Sequence, residues 1–111
     1  MKFVVATLIA AFASANSNID DTTGIFGNAE QWKTGTVKID KLNDDIFYWM
    51  FDSRQETAAT DPLVLWLTGG PGCASEVALF YENGPFGFND DGTLSANPHS
   101  WNEIANLLFV D

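Results

Sequence analysis

The residues best suited to chemistry stand together at Thr68-Gly69-Gly70-Pro71-Gly72-Cys73. Five apolar residues, Leu63 to Leu67, lead into them, and a helical-looking segment, Ala74 to Glu82, leads out. Three glycines and a proline in four positions would weaken a strand or a helix interior, because glycine loses the most backbone entropy and proline lacks an N–H donor. They therefore shape a loop. A tight turn at the carboxyl end of a strand exposes backbone N–H groups, and a helix starting just after it adds its own unpaired N–H groups and positive dipole end. Such a loop is suited to negative charge. A phosphate cradle would want Gly-Lys-Ser/Thr or a Gly-x-Gly-x-x-Gly spacing, and neither occurs here. The other chemistry is an oxyanion hole, in which backbone donors stabilise the tetrahedral intermediate of acyl transfer. On the glycines alone, a tight turn without chemistry is the plain alternative.

Other reactive residues are few. Cys73 is the sole cysteine and His99 the sole histidine. A catalytic thiol needs a base, but His99 lies in Asn97-Pro98-His99-Ser100, which reads as a turn, so a structural role for Cys73 is the better reading. Ser75, His99 and Asp111 would make a poor local triad, because a serine at a helix start is expected to cap the backbone. No Gly-x-Ser-x-Gly elbow occurs in the 111 residues.

The elements that must position the loop can be read coarsely. Thr36 to Ile39 and Ile46 to Asp52 form a hairpin across Lys41-Leu42-Asn43-Asp44-Asp45, and the second strand hardly alternates, so both of its faces should be covered. Ser53 to Thr60 is a polar loop that Asp61-Pro62 ends. Leu63 to Leu67 is a third, buried strand, too short for a stable helix. A helix over 74–82 stops at Asn83-Gly84-Pro85. Asn89-Asp90-Asp91-Gly92 is a turn, Ser95 to Ser100 a loop, and Trp101 to Ala105 at most one helical turn. Leu107 to Val110 reads as a buried strand in an inner sheet position, whose covering helices would come from later sequence. The fold class is α/β: a hairpin, then strand, glycine loop, helix and strand.

Composition narrows the function. Without a repeat at solenoid period, 111 residues make at most one domain, and 46% hydrophobic content excludes a disordered chain. Five Lys+Arg against 15 Asp+Glu give a net charge of −10, which opposes nucleic acid and anionic membrane surfaces as partners. Residues 1–15, MKFVVATLIAAFASA, have a lysine, an apolar stretch from Phe3 to Ala13 and the small-x-small run Ala13-Ser14-Ala15. This is the layout of a cleaved secretory signal, and it is shorter than the roughly 20 residues of a membrane span. Residues 16–30 read as an extended polar arm, with Ile25 and Phe26 tucking it onto something. In an oxidising compartment an unpaired Cys73 implies an intermolecular bond, a reactive thiol, or a partner in sequence beyond this chain.

"FYWMFDSR" (47–54), "DPLVLWLTGGPGCASEVALFYENGPF" (61–86) and "NPHSWNEIANLLFVD" (97–111), in this order and spacing, resemble the amino-terminal part of serine carboxypeptidases. These are secreted or vacuolar/lysosomal enzymes of the α/β-hydrolase fold. The resemblance runs from about Trp32 to Asp111. Thr68 stands where Asn is usual in the family's Asn-Gly-Gly-Pro-Gly-Cys-Ser-Ser motif, a change met within the family, and Ala74 stands where Ser is usual. The resemblance implies that Gly70 N–H is an oxyanion donor, that Gly69 lets substrate come close and that Pro71 fixes the turn. It places Trp66, Thr68, Gly69 and Glu82 at positions that hydrogen-bond the free carboxylate of a peptide's last residue. Glu82 can do so only if one of the two acids is protonated, consistent with work at acid pH. Thr68 offers one hydroxyl where Asn offers an amide. Cys73 matches a cysteine that pairs far downstream, and the catalytic Ser, Asp and His lie beyond residue 111. The implied activity is release of C-terminal residues from peptides through an acyl-enzyme, without metal or cofactor, by a protein of which this chain is an inactive part. A related acyltransferase and a non-catalytic secreted peptide binder are the alternatives.

Overall fold

The computed structural model describes residues 30–39 and 44–111. The expected signal segment, the arm up to residue 29 and the connecting residues Lys41-Leu42-Asn43 lie outside the described residues. The first pair of strands is β1 (Trp32–Ile39) and β2 (Asp44–Phe51), antiparallel in a register running from Trp32 opposite Phe51 to Ile39 opposite Asp44. β1 starts four residues before the expected Thr36. Gly35 weakens that stretch as a strand in sequence terms, yet Tyr48 lies directly across from it, so close that a Cβ at Gly35 would sit 2.7 Å from the Tyr48 hydroxyl. The aromatic ring supplies the packing that glycine lacks. Asp44 and Asp45, expected in the connection, belong to β2 with their side chains in solvent.

β3 (Leu63–Trp66) runs parallel to β6 (Asn106–Val110), which is itself antiparallel to β2, so the sheet order is β1-β2-β6-β3. β6 therefore holds the inner position expected of an all-apolar strand, and Leu107, Leu108 and Phe109 are buried. Successive side chains alternate between faces. Phe51, Leu107 and Phe109 point to one side, where helix α1 (Glu76–Tyr81) adds Ala78 and Leu79 and closes the main core with Phe86. Six residues cannot hold a helix unaided. α1 depends on that burial, and truncating Leu79 to alanine should cost about 2–5 kcal/mol.

The helix ends where the sequence indicates. Glu82 and Gly84 N–H groups both donate to the Ala78 carbonyl at 3.1 Å, and Gly84 presses so closely on the Leu79 backbone that no side chain fits. A two-stranded hairpin follows, β4 (Phe86–Phe88) and β5 (Leu94–Ala96), around the expected turn, in which Gly92 has φ 80°. Strands of three residues carry too little periodicity to read in advance. A one-turn 3-10 helix, Trp101–Glu103, leads into β6.

The opposite face of the sheet carries Tyr48 and Leu108 with Val37, Met50, Leu63 and Val110 against them. Leu65 is 39% and Leu67 62% exposed, and Leu67 falls outside β3. The expectation of a buried strand over Leu63 to Leu67 is therefore corrected: the strand ends at Trp66, and among the described residues no helix covers the face that carries Leu65. No helix among the described residues is long and apolar enough to cross a membrane.

Candidate functional site

The glycine loop leaves β3 at the same end at which β6 finishes, the carboxyl edge of the parallel pair, where α/β sheets place their ligand sites. Ser75 closes the loop. It was expected to cap α1, but it makes no side-chain cap bond, and its Oγ instead accepts the Thr68 N–H at 3.2 Å. That bond ties the two ends of the loop together across seven residues, with Ser75 almost wholly buried. Between these ends Gly69 to Cys73 are exposed. The Gly70–Pro71 peptide is cis and Gly72 has φ 89°, a left-handed conformation that favours glycine. Among the described residues, the N–H groups of Gly69, Gly70, Gly72 and Cys73 donate to no acceptor in the protein. The loop thus presents four free backbone donors in five residues. Cys73 is free and exposed.

Trp66 and Thr68 flank this loop on its strand side. Both are half-buried, and both carry a buried polar atom without a hydrogen-bond partner among the described residues: Trp66 Nε1 and Thr68 Oγ1. Buried polar groups are ordinarily paired, and these two unpaired ones lie beside the free donors of the loop. The Trp66 ring is braced edge-on by Trp101, with centroids 5.4 Å apart. Glu82 lies at the far end of α1, exposed, its carboxylate unpartnered among the described residues. No hydrogen bond joins Glu82 to Trp66 or Thr68. The link is indirect: the next residue, Asn83, accepts from Trp101 N–H at 3.0 Å through its carbonyl, and Trp101 contacts Trp66.

Ser75, His99 and Asp111 do not form a hydrogen-bonded triad. The Ser75 hydroxyl is engaged with the loop, and His99 sits in an exposed turn in which its N–H donates to Asn97 Oδ1 at 2.9 Å. Glu76 opens α1 with one carboxylate oxygen buried and unpartnered. Burial pushes its carboxyl above the ordinary glutamate range, against its own backbone hydrogen bond, and the nearby Asp111 charge adds to the rise.

The largest polar cluster was not foreseen. Arg54 directs its guanidinium to the carboxylates of Glu30 and Glu103 and to the carbonyls of Asn97 and Pro85, while Glu30, at the end of the expected arm, is 6% exposed. Asn102, wholly buried, donates to the other Glu30 oxygen at 2.7 Å. The partners lie 24 to 49 residues from Arg54, a separation that no local spacing rule reveals.

Comparison with known proteins bears on this loop and its flanks together. The family model described as serine carboxypeptidase matches residues 26–111, a span that takes in both sheets, the glycine loop and Glu82. The chain belongs to the serine carboxypeptidase family. Among curated relatives, serine carboxypeptidase S10 family member 1 of Dictyostelium discoideum is 59% identical over 69 residues, 62% of this chain and 16% of the relative. Serine carboxypeptidase-like 47 of Arabidopsis thaliana is 41% identical over 104 residues, 93% of this chain and 19% of the relative. Among solved structures, the prohormone-processing carboxypeptidase Kex1(delta)p from Saccharomyces cerevisiae superposes with a TM-score of 0.63 at 35% identity, over 76% of this chain and 19% of that one. The chain thus spans less than a fifth of the length of these relatives.

Proposed function

We propose that this chain supplies the oxyanion loop and the terminal-carboxylate site of a serine-type carboxypeptidase, as the amino-terminal portion of an α/β-hydrolase fold whose nucleophile, base and acid come from elsewhere in a longer protein. The observation that carries this reading is the set of free N–H donors at Gly69, Gly70, Gly72 and Cys73, held in place by the Thr68–Ser75 bond. In this reading the substrate is a peptide with a free C-terminus. Its scissile carbonyl oxygen accepts from Gly70 N–H as negative charge develops on it, which is where preorganised donors lower the barrier most. Trp66 Nε1, Thr68 Oγ1 and the Gly69 backbone take the terminal carboxylate, and Glu82 shares a proton with it. No metal or cofactor is required, Cys73 pairs with a distant cysteine, and a cleaved signal over residues 1–15 delivers the protein to the secretory pathway. Alone, the chain hydrolyses nothing.

An acyltransferase would use the same donors with another acyl acceptor. The deciding experiment supplies the full-length protein with an acylated peptide of defined C-terminus and follows products by mass spectrometry. Release of single C-terminal residues, abolished when the peptide is amidated, is expected; transfer of the acyl group to an added alcohol with no net release favours the acyltransferase.

A further inference from the structure

Arg54 stands apart from the glycine loop, yet its contacts lead to it. The side chain is half-buried, and its five hydrogen bonds use every N–H of the guanidinium: Nε and one Nη2 donor to Glu30, one Nη1 donor to Glu103, the other to the Asn97 carbonyl at 2.9 Å, and the second Nη2 donor to the Pro85 carbonyl at 3.4 Å. Two carboxylates on one guanidinium, one from buried Glu30 and one from partly exposed Glu103, form a directional joint of the kind arginine's planar fork favours and lysine's ammonium cannot reproduce.

One of the segments it joins carries Glu82, and the other carries Trp101, which braces the Trp66 ring. Pro85 lies three residues after Glu82. Asn97 in turn donates its side-chain amide to the Gly84 carbonyl at 2.9 Å and its backbone N–H to the Pro85 carbonyl at 2.7 Å, so the turn that follows Glu82 is stitched to the Asn97–Ser100 turn. Glu103 closes the short helix whose first residue, Trp101, braces the Trp66 ring and donates to Asn83. Both routes begin at Arg54.

We propose that Arg54 is a positioning residue for the terminal-carboxylate site, clamping the Glu82–Phe86 turn to the Asn97–Glu103 segment so that Glu82 and the Trp66–Trp101 pair keep a fixed separation. The inference rests on the site reading given above, but its first test does not. Arg54 touches no substrate in this arrangement; it acts through Pro85, Asn97 and Glu103.

The test uses the full-length protein with Arg54→Gln, Arg54→Lys and Glu103→Gln, in two measurements. Amide hydrogen exchange should quicken on the order of ten-fold in residues 82–86 and 97–103 in all three variants while β2 and β6 keep their protection, since local openings report the stability of their own cooperative unit. Arg54→Lys keeps the charge with fewer donors, so it separates the fork geometry from simple charge pairing and guards against a variant that fails to fold. The second measurement is kcat/KM for an N-acylated dipeptide and for its C-terminal amide. The value for the acid should fall by up to about 100-fold, the scale of rate lost when a group is misplaced by about 1 Å, and that for the amide should change little. Exchange unchanged in 82–86, or quickened equally throughout the sheet, overturns the clamp. Full-length wild type that processes acid and amide alike overturns the site reading instead, and leaves the exchange result to decide Arg54.

Discussion

Alanine at Gly70 is a harsher change than replacing one hydrogen with a methyl group suggests. A Cβ there would lie 2.8 Å from Gly72 N and 3.2 Å from Cys73 N, whereas ordinary contact begins at 3.4 Å. Both neighbours are backbone atoms that cannot rotate away, so the loop must open by 3.4 − 2.8 = 0.6 Å to restore ordinary contact. Oxyanion donors work at about 2.7–3.1 Å, so a displacement of this size takes the Gly70 donor or its neighbours out of range, and kcat should approach the loss of about 10²–10³ seen when one such donor is deleted. KM should change little, because the interaction forms only as charge develops. Gly69 provides the internal control. Nothing lies within 4 Å of a Cβ there, so Gly69→Ala leaves the loop in place and should act on KM by obstructing substrate. Gly72→Ala adds roughly 1–2 kcal/mol of left-handed backbone strain without a steric clash. The assay is steady-state hydrolysis of an acylated dipeptide by the full-length protein. Unchanged kcat in Gly70→Ala, or the same kcat loss in Gly69→Ala, would refute the assignment of the oxyanion donor.

Glu76→Gln should stabilise the fold more at neutral than at acid pH. An acid whose folded-state pKa is raised above the unfolded value of about 4.3 contributes fully below that pH, and the contribution is lost as pH rises through the folded value, so the neutral variant escapes the loss. Urea midpoints of wild type and variant at pH 4 and pH 7 check this, and an equal difference at both pH values contradicts it. Cys73, exposed and free, should react with one equivalent of thiol reagent in the native 111-residue chain and form disulfide-linked dimers on air oxidation, whereas in the full-length protein it should be unreactive until reduced. A native thiol that resists the reagent in the 111-residue chain would be inconsistent with the exposed loop.

What could be read in advance was whatever rests on local rules. The glycines and proline at 69–72 announced a loop, Asn83-Gly84-Pro85 announced the end of α1, and the unbroken apolar run at 107–110 announced an inner strand. What escaped depends on residues that meet only in three dimensions. β1 extends back to Trp32 because Trp49 and Phe51 lie opposite it, and Gly35 is tolerated because Tyr48 covers it. Ser75 turned its hydroxyl to Thr68 and not to the helix, a choice fixed by how the loop folds back. Leu65 and Leu67 are apolar but exposed, since an apolar run states only what can be buried, and no described element buries them. Arg54 reads as an ordinary polar residue at a strand end, and its weight comes from Glu30 and Glu103, far away in the chain.

The proposed function requires recognition of a free carboxylate by Trp66, Thr68, Gly69 and Glu82. The measurement is kcat/KM for an acylated dipeptide and for its C-terminal amide, at acid pH, in full-length wild type, Glu82→Gln and Thr68→Ala. Wild type should favour the acid, and both variants should lose that preference through a higher KM for the acid alone, by about 1.5–3 kcal/mol per charge-assisted hydrogen bond removed, or roughly 10- to 100-fold. If the two variants weaken acid and amide equally, or if wild type prefers the amide, this end of the loop does not read the terminal carboxylate.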